Sequence, residues 1–153
     1  MPFAVKATLE NVETYLQKSG YFAAGVQAGV PMAPPQGEGL FGAVFMRSVS
    51  VNKVYANGGT EETHLVTVRV HRNAMNRPAD EIEFELAVCV QQVVSDLIGD
   101  YDLGATVREI DVGGMNGTPL RSEWGQVDIG GVMFRVVDIM LPLTVDDSGT
   151  AAQ

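Results

Sequence analysis

WGQVDIGGVMFRVVDIMLPLTVDD, residues 124–147, is the stretch that decides the fold. Val127 and Ile129 alternate with Gln126 and Asp128, Gly130-Gly131 interrupts, and Val132, Phe134 and Val136 resume the alternation around Met133 and Arg135. A period of two places one side of each strand on a core. Two glycines supply the positive φ of a tight turn, so the stretch reads as a β-hairpin. From Val136 the return strand is apolar on both faces except at Asp138, which predicts cover on two sides for its far half. Pro142 lacks the N–H that a central ladder uses, and so places that point at a sheet edge or at the strand's exit.

Working outward, the region before the hairpin carries a long helix. Pro78 follows Asn76-Arg77 at the opening, Asp80, Glu81 and Glu83 lie at the positive end of the helix dipole, and Gly99 closes the segment. Ile82, Leu86, Cys89, Val90, Val93 and Leu97 form one apolar stripe. The opposite side, with Phe84, Ala87, Val88, Val94 and Ile98, is apolar as well. A helix of this kind is expected to be covered on both sides, by the sheet on one and by the first helix or another subunit on the other. Trp124 is expected to serve as a core or interface anchor. Phe84, Val88, Val94, Ile98 and Trp124 are therefore the candidate interface residues.

The N-terminal half supplies a first helix, with Val5, Leu9, Val12 and Leu16 on one face and Gly20 beyond it. Residues 21–30 read as a weak strand, and VPMAPPQGEG as a loop. Two alternating segments, 40–55 (with a slip in phase before Val54) and 63–71, flank Asn57-Gly58-Gly59 and predict a long antiparallel hairpin. A further strand is read over 105–112, and Gly113 to Glu123 forms a second long loop. The order α-β-β-β-α-β-β-β gives an α+β fold: a single domain over 1–153, a mixed or antiparallel sheet, two main helices on one face, and a flexible C-terminal tail at 148–153.

Composition bounds the function. The chain has 153 residues, a net charge of −9 and one cysteine, so it holds no internal disulfide and disfavours nucleic acid or anionic membrane as a general partner. No signal peptide and no run of apolar residues long enough to span a bilayer is evident. Residues 80–111 hold nine acids against Arg108 alone. Gly37 to Gly42 fits G-x-G-x-x-G but leads into a strand, where a dinucleotide site needs a helix, so it is rejected as a nucleotide site. His64 and His71 are the only histidines, and their odd separation points them to opposite faces of one strand. Glu109 and Asp111 are expected to share a strand face and Asp146-Asp147 are adjacent, pairs that could serve a cation or acid–base chemistry; charged edge or terminal residues are the commoner explanation. No hydrolase, zinc or Walker signature occurs. The chain is read as a non-enzyme without cofactor, metal or catalytic residues.

The opening MPFAVKATLENVETYL, then AVFMRSVSV, LVTVRV, DEIEFELAVCVQQVVSDLIGDYDLG, REIDVGG and the ending WGQVDIGGVMFRVVDIMLPLTVDDS together resemble the tail terminator proteins of long-tailed, non-contractile actinobacteriophages, related in fold to the lambda-type tail terminator. The resemblance implies a structural virion protein at the neck region of the tail, assembled in the host cytoplasm. Such a protein caps the tail tube as a ring, typically a hexamer, stops polymerisation of the major tail tube protein, and offers a joining surface to the head–tail connector or stopper protein. Genomic DNA would pass through the ring without sequence-specific binding, and no membrane would be involved. On this reading Glu81, Glu83 and Glu85 are candidate lumen-facing acids, and the loops Pro31 to Gly42 and Gly113 to Glu123 are candidates for ordering on assembly. The nearest rival is a head-completion or stopper protein; an enzyme or ligand-binding domain is the distant one.

Overall fold

The computed structural model describes residues 4–75, 77–100, 102–103 and 107–147. The expected tail at 148–153, Asn76 at the helix opening and residues 105–106 of the expected strand lie outside them. The elements run α1 (Ala4–Ser19), β1 (Val26–Ala28), β2 (Phe41–Val54), β3 (Thr60–Asn73), α2 (Ala79–Gly99), β4 (Glu109–Ile110), β5 (Arg121–Ile129) and β6 (Val132–Asp147), in the order expected of an α+β chain. The strands form one six-stranded sheet in the order β1-β2-β3-β6-β4, with β5 also on β6. Only β1 and β2 are parallel.

The sheet is built on β3 and β6, whose ladder runs from Thr60↔Asp147 to Asn73↔Phe134. The closing hairpin turns at Gly130 (φ 59°) and Gly131 (φ 88°), a left-handed pair that β-branched or bulky residues adopt only under strain. Both α1 and α2 lie on one face, over Val44, Val66, Val68, Val70, Val137, Ile139, Leu141 and Leu143, all buried. The expected stripe of α2 (Ile82, Leu86, Cys89, Val90, Val93 and Leu97) is the stripe that faces this core. Burying each large side chain there contributes on the order of 1.5–3 kcal/mol before entropy is counted.

The other face holds a smaller cluster, Ile129, Phe134 and Val136. Beside it Asp138, the one acid of the inner part of β6, receives Arg69 through two hydrogen bonds of 2.6 and 2.9 Å. The two histidines do point oppositely. His64 lies under α1, whereas His71 is wedged between the rings of Phe41 and Phe134 and donates from Nδ1 to the Phe41 carbonyl at 3.3 Å. Burial lowers the His71 pKa and favours the neutral ring.

Three local expectations are corrected. Pro142 sits neither at an edge nor at an exit: it faces Leu65 in the middle of β6. It falls where β6 changes neighbours, since β5 pairing ends at Met140 and β4 pairing starts at Leu143. Its carbonyl takes the Asp111 N–H at 2.9 Å, and its missing N–H is on that same side, in the gap between the two short neighbours, so no ladder bond is lost. The strand expected over 105–112 is reduced to Glu109–Ile110. Glu109 and Asp111 do not share a face: Glu109 is exposed, whereas Asp111 is buried and its two carboxylate oxygens accept the N–H groups of Met115 and Asn116, both at 2.9 Å. Asp111 therefore organises the start of the 113–120 loop.

The glycines of the G-x-G-x-x-G match serve packing. A Cβ on Gly39 would come within 2.8 Å of Ala23 Cβ, and one on Gly42, inside β2, would press on the Phe22 ring at 3.2 Å. No helix follows them to present amide groups to a phosphate.

Candidate assembly interface

The sheet-facing stripe of α2 leaves its opposite side without cover. Phe84 is 67% exposed, Val88 53% and Ile98 52%, and the first helix does not reach over them. What α1 and the segment after it contribute lies at the flank, where Tyr15 Oη donates to the Asp96 carbonyl at 3.3 Å and Tyr21 Oη to the Asp96 carboxylate at 2.6 Å. Of the two covers considered for this side, the first helix is thus ruled out within the chain.

Trp124 stands beside the same helix. It pairs with Val137, which places it on the helix-bearing face of β5. Between β5 and α2 runs an apolar groove of about 580 Å³, lined by Val90, Val94, Ile98, Ser122 and Trp124 among others. A second depression of about 350 Å³ lies across the helix, with Phe84 and Val88 on one wall and Tyr21 and Leu40 on the other. Three of the candidate residues, Val94, Ile98 and Trp124, thus share the first groove, and Phe84 and Val88 share the second. The outer ridge of α2 separates the two. At about 43% exposure Trp124 is no core residue. An indole left this open next to an aliphatic wall has the chemistry of an interface anchor.

The three acids singled out on α2 separate. Glu83 reaches Arg135 Nε at 2.5 Å, and Glu85 Oε1 lies 2.8 Å from Arg72 Nε, whose side chain is almost fully buried. Both carboxylates point toward the sheet and tie the first turns of α2 to β6 and β3. Glu81 is exposed, with its backbone N–H capped by Asp80 Oδ1 at 2.9 Å. Glu83 and Glu85 are thus not free acids, since each pairs with an arginine of the sheet while remaining 44% and 40% exposed.

Sequence reading missed a polar pin under α1. Thr8 Oγ1 lies 3.0 Å from His64 Nδ1, and His64 Nε2 lies 2.8 Å from Glu62 Oε1. The order hydroxyl, imidazole, carboxylate mimics a nucleophile relay, but Thr8 and His64 are both buried between helix and sheet, where no substrate carbonyl has access. Its role is to lock α1 in register. Thr8 lies on the buried stripe of α1, three residues after Val5 and four before Val12, but its hydroxyl keeps it out of a count of apolar positions, and nothing local in the sequence links it to His64, 56 positions away.

The tip of the β2–β3 hairpin was also missed. Val49, Val51, Val54 and Tyr55 are exposed there, beyond the strand β1, which pairs only with Gly42, Ala43 and Val44. The slip in phase before Val54 is real: the register shifts between Met46 and Ser48 and again between Val51 and Lys53. These bulges return Val49, Val51 and Val54 to the same face, opposite His64, Glu62 and Thr60.

Among the described residues, no group of three or more His, Cys, Asp or Glu side chains gathers as a metal site, and no helix is long and apolar enough to cross a membrane. Cys89 is buried, and desolvation pushes its thiol up to about 12.

No protein-family model matches the sequence, and no curated protein matches it. Among solved structures, a chain of the "Virion of native gene transfer agent (GTA) particle" is similar at 15% identity and a TM-score of 0.44, over 95% of this chain and 99% of that one. A likeness this distant carries neither role nor assembly across.

Proposed function

We propose that the chain is a structural, non-catalytic subunit of a phage virion: a tail terminator that assembles as a ring, typically a hexamer, on the finished end of the tail tube. In that role it stops addition of the major tail tube protein and presents the surface to which the head–tail connector docks. The single observation that carries the reading is the uncovered apolar side of α2 with Trp124 beside it. A monomer gains nothing by exposing Phe84, Val88 and Ile98 along one helix with Trp124 beside them, whereas a subunit buries them against its neighbour. The ordered run of sequence motifs, from MPFAVKATLENVETYL to the closing hairpin, supports the terminator among ring-forming virion proteins.

A head-completion or stopper protein asks for the same small body and the same exposed face. Electron microscopy of particles made by a phage lacking this gene separates the two. Over-long tubes unattached to filled heads are expected for a terminator. Tails of uniform length beside heads that leak or fail to attach would assign the chain to the head side of the neck. Normal infectious particles would refute both.

A further inference from the structure

The borders of the sheet are short or broken everywhere but along β5. β1 has 3 residues and β4 has 2, and β2 beyond Val44 carries two bulges and Lys53, devices by which an edge strand avoids further pairing. β5 has 9 residues, one unbroken register on β6 and no proline, and among the described residues it pairs with no other strand. Its charges leave the edge unguarded: Arg121 and Glu123 pair with each other, and Asp128 caps the turn at Gly131. The ladder fixes what this edge offers. The two-residue turn closes on the bonded pair Ile129 and Val132, so the odd residues of β5 bond to β6. Ser122, Trp124, Gln126 and Asp128 therefore direct their backbone N–H and C=O groups outward, where no described residue meets them.

The same residues border the apolar groove. α2 passes beside β5 from Gln126, next to Ile82, to Ser122 and Trp124, next to Val90, Val94 and Ile98. One side of the groove is thus a row of open backbone donors and acceptors, and the other is an aliphatic wall. Their repeats agree, at roughly 6 Å for four helical residues and roughly 6.6 Å for two strand residues. We infer that the α2–β5 groove binds an extended peptide, added to β5 as an outer strand with apolar side chains at every second position. A docked helix would fill the groove and leave the β5 groups bare, whereas an extended chain meets both sides at once. Its residues opposite Ser122 and Trp124 place their side chains on the helix-bearing face, against Val94 and Ile98. On the assembly reading above, on which the source of the strand rests, it is an arm of an adjoining virion protein, and Phe84 and Val88 across the ridge are left to a ring neighbour. The second open edge of this chain, on β2, is bulged and so matches the regular β5 poorly.

The probe is a capped peptide, Lys-Val-Thr-Val-Thr-Val-Lys, titrated into the full-length protein. Fluorescence of Trp124, the only tryptophan, and amide NMR follow the binding. Two further forms carry N-methyl groups, one on the valines and the other on the threonines. The expected result is saturable binding with shifts at the amides of Ser122 to Asp128. One methylated form should bind about tenfold weaker or less, and the other as well as the parent, because only alternate N–H groups of an added strand face β5. Gln126→Pro, which deletes an outward N–H and spares the ladder to β6, should weaken the parent peptide in the same way. Equal binding of all three peptides would show apolar capture without strand addition and overturn the inference. A concentration-dependent dimer of the free protein with the same amide shifts would overturn it by placing a second copy on β5. Rings in native mass spectrometry with no peptide bound at millimolar concentration would overturn it and leave the ring reading intact. Alternation-sensitive binding by a protein that never forms rings, alone or on tail tubes, would overturn the ring reading and support the peptide site.

Discussion

Replacing Glu85 by Gln tests whether the acids of α2 hold the helix to the sheet or stand free. Arg72, on the helix-bearing side of β3, has a side chain only 4% exposed, and Glu85 is 40% exposed. Their 2.8 Å approach is an ion pair out of line for a hydrogen bond, since neither Arg72 Nε nor Glu85 Oε1 has a hydrogen-bond partner. Breaking a fully buried pair costs about 3–5 kcal/mol, while an exposed pair is worth about 0–1 kcal/mol. With one partner buried and the other half-exposed, Glu85→Gln should cost about 2 kcal/mol, an intermediate value. In a domain of this size that lowers Tm by roughly 4–8 °C. Glu81→Gln, at an exposed position in the same turns, should stay within about 0.5 kcal/mol of the unaltered chain. Differential scanning calorimetry and urea unfolding read both. If Glu85→Gln melts with the wild type while particles carrying it deliver DNA less well, the anchor assignment is wrong and the acid faces a lumen after all.

Other consequences follow from single groups. Thr8→Val removes the hydroxyl at His64 Nδ1 and takes away that buried ring nitrogen's partner, so it should destabilise by about 1–3 kcal/mol in urea unfolding without changing the fold by circular dichroism. Glu62 is pushed up by desolvation, but the hydrogen bonds from His64 and Thr60 outweigh it and hold its pKa below the ordinary 4.5. A depressed carboxylate contributes stability that is present above pH 4.5 and lost as pH falls through the folded value, so Glu62→Gln should flatten the acid limb of the stability profile below pH 4.5. Cys89, with its thiol pushed up to about 12, should resist a thiol reagent at pH 8 in the native protein and react at once in denaturant.

What could be read from the sequence was whatever repeats along one element. The six-residue stripe of α2 and the alternation around Gly130-Gly131 depend only on helix and strand periods, and both stand as expected. What could not be read depends on a partner far along the chain. Pro142 is tolerated in mid-sheet because β5 ends at Met140 and β4 starts at Leu143, an arrangement no local pattern announces. Asp111 looked like a strand residue by alternation, yet two loop amides claim its carboxylate. Glu83 read as a dipole-complementing acid, and Glu83 and Glu85 as candidate lumen-facing acids, before Arg135 and Arg72 were brought beneath them by the β3–β6 ladder, which sets Arg72 directly against Arg135. That juxtaposition also gives the two acids a reason to be there, since neighbouring guanidinium groups repel one another unless carboxylates stand between them. The candidate interface was legible in part. The apolar far side of α2 could be counted off the helix, whereas the hairpin tip became visible only once two bulges had brought Val49, Val51 and Val54 to one face.

A tail terminator ends a growing tube, so tube length reads its action. Purified protein would be titrated into polymerising tail tube subunit and the products measured by electron microscopy. A terminator should shorten the tubes as it is added in greater proportion, each tube carrying a ring at one end only. Tubes of unchanged length with bare ends at every ratio would contradict it.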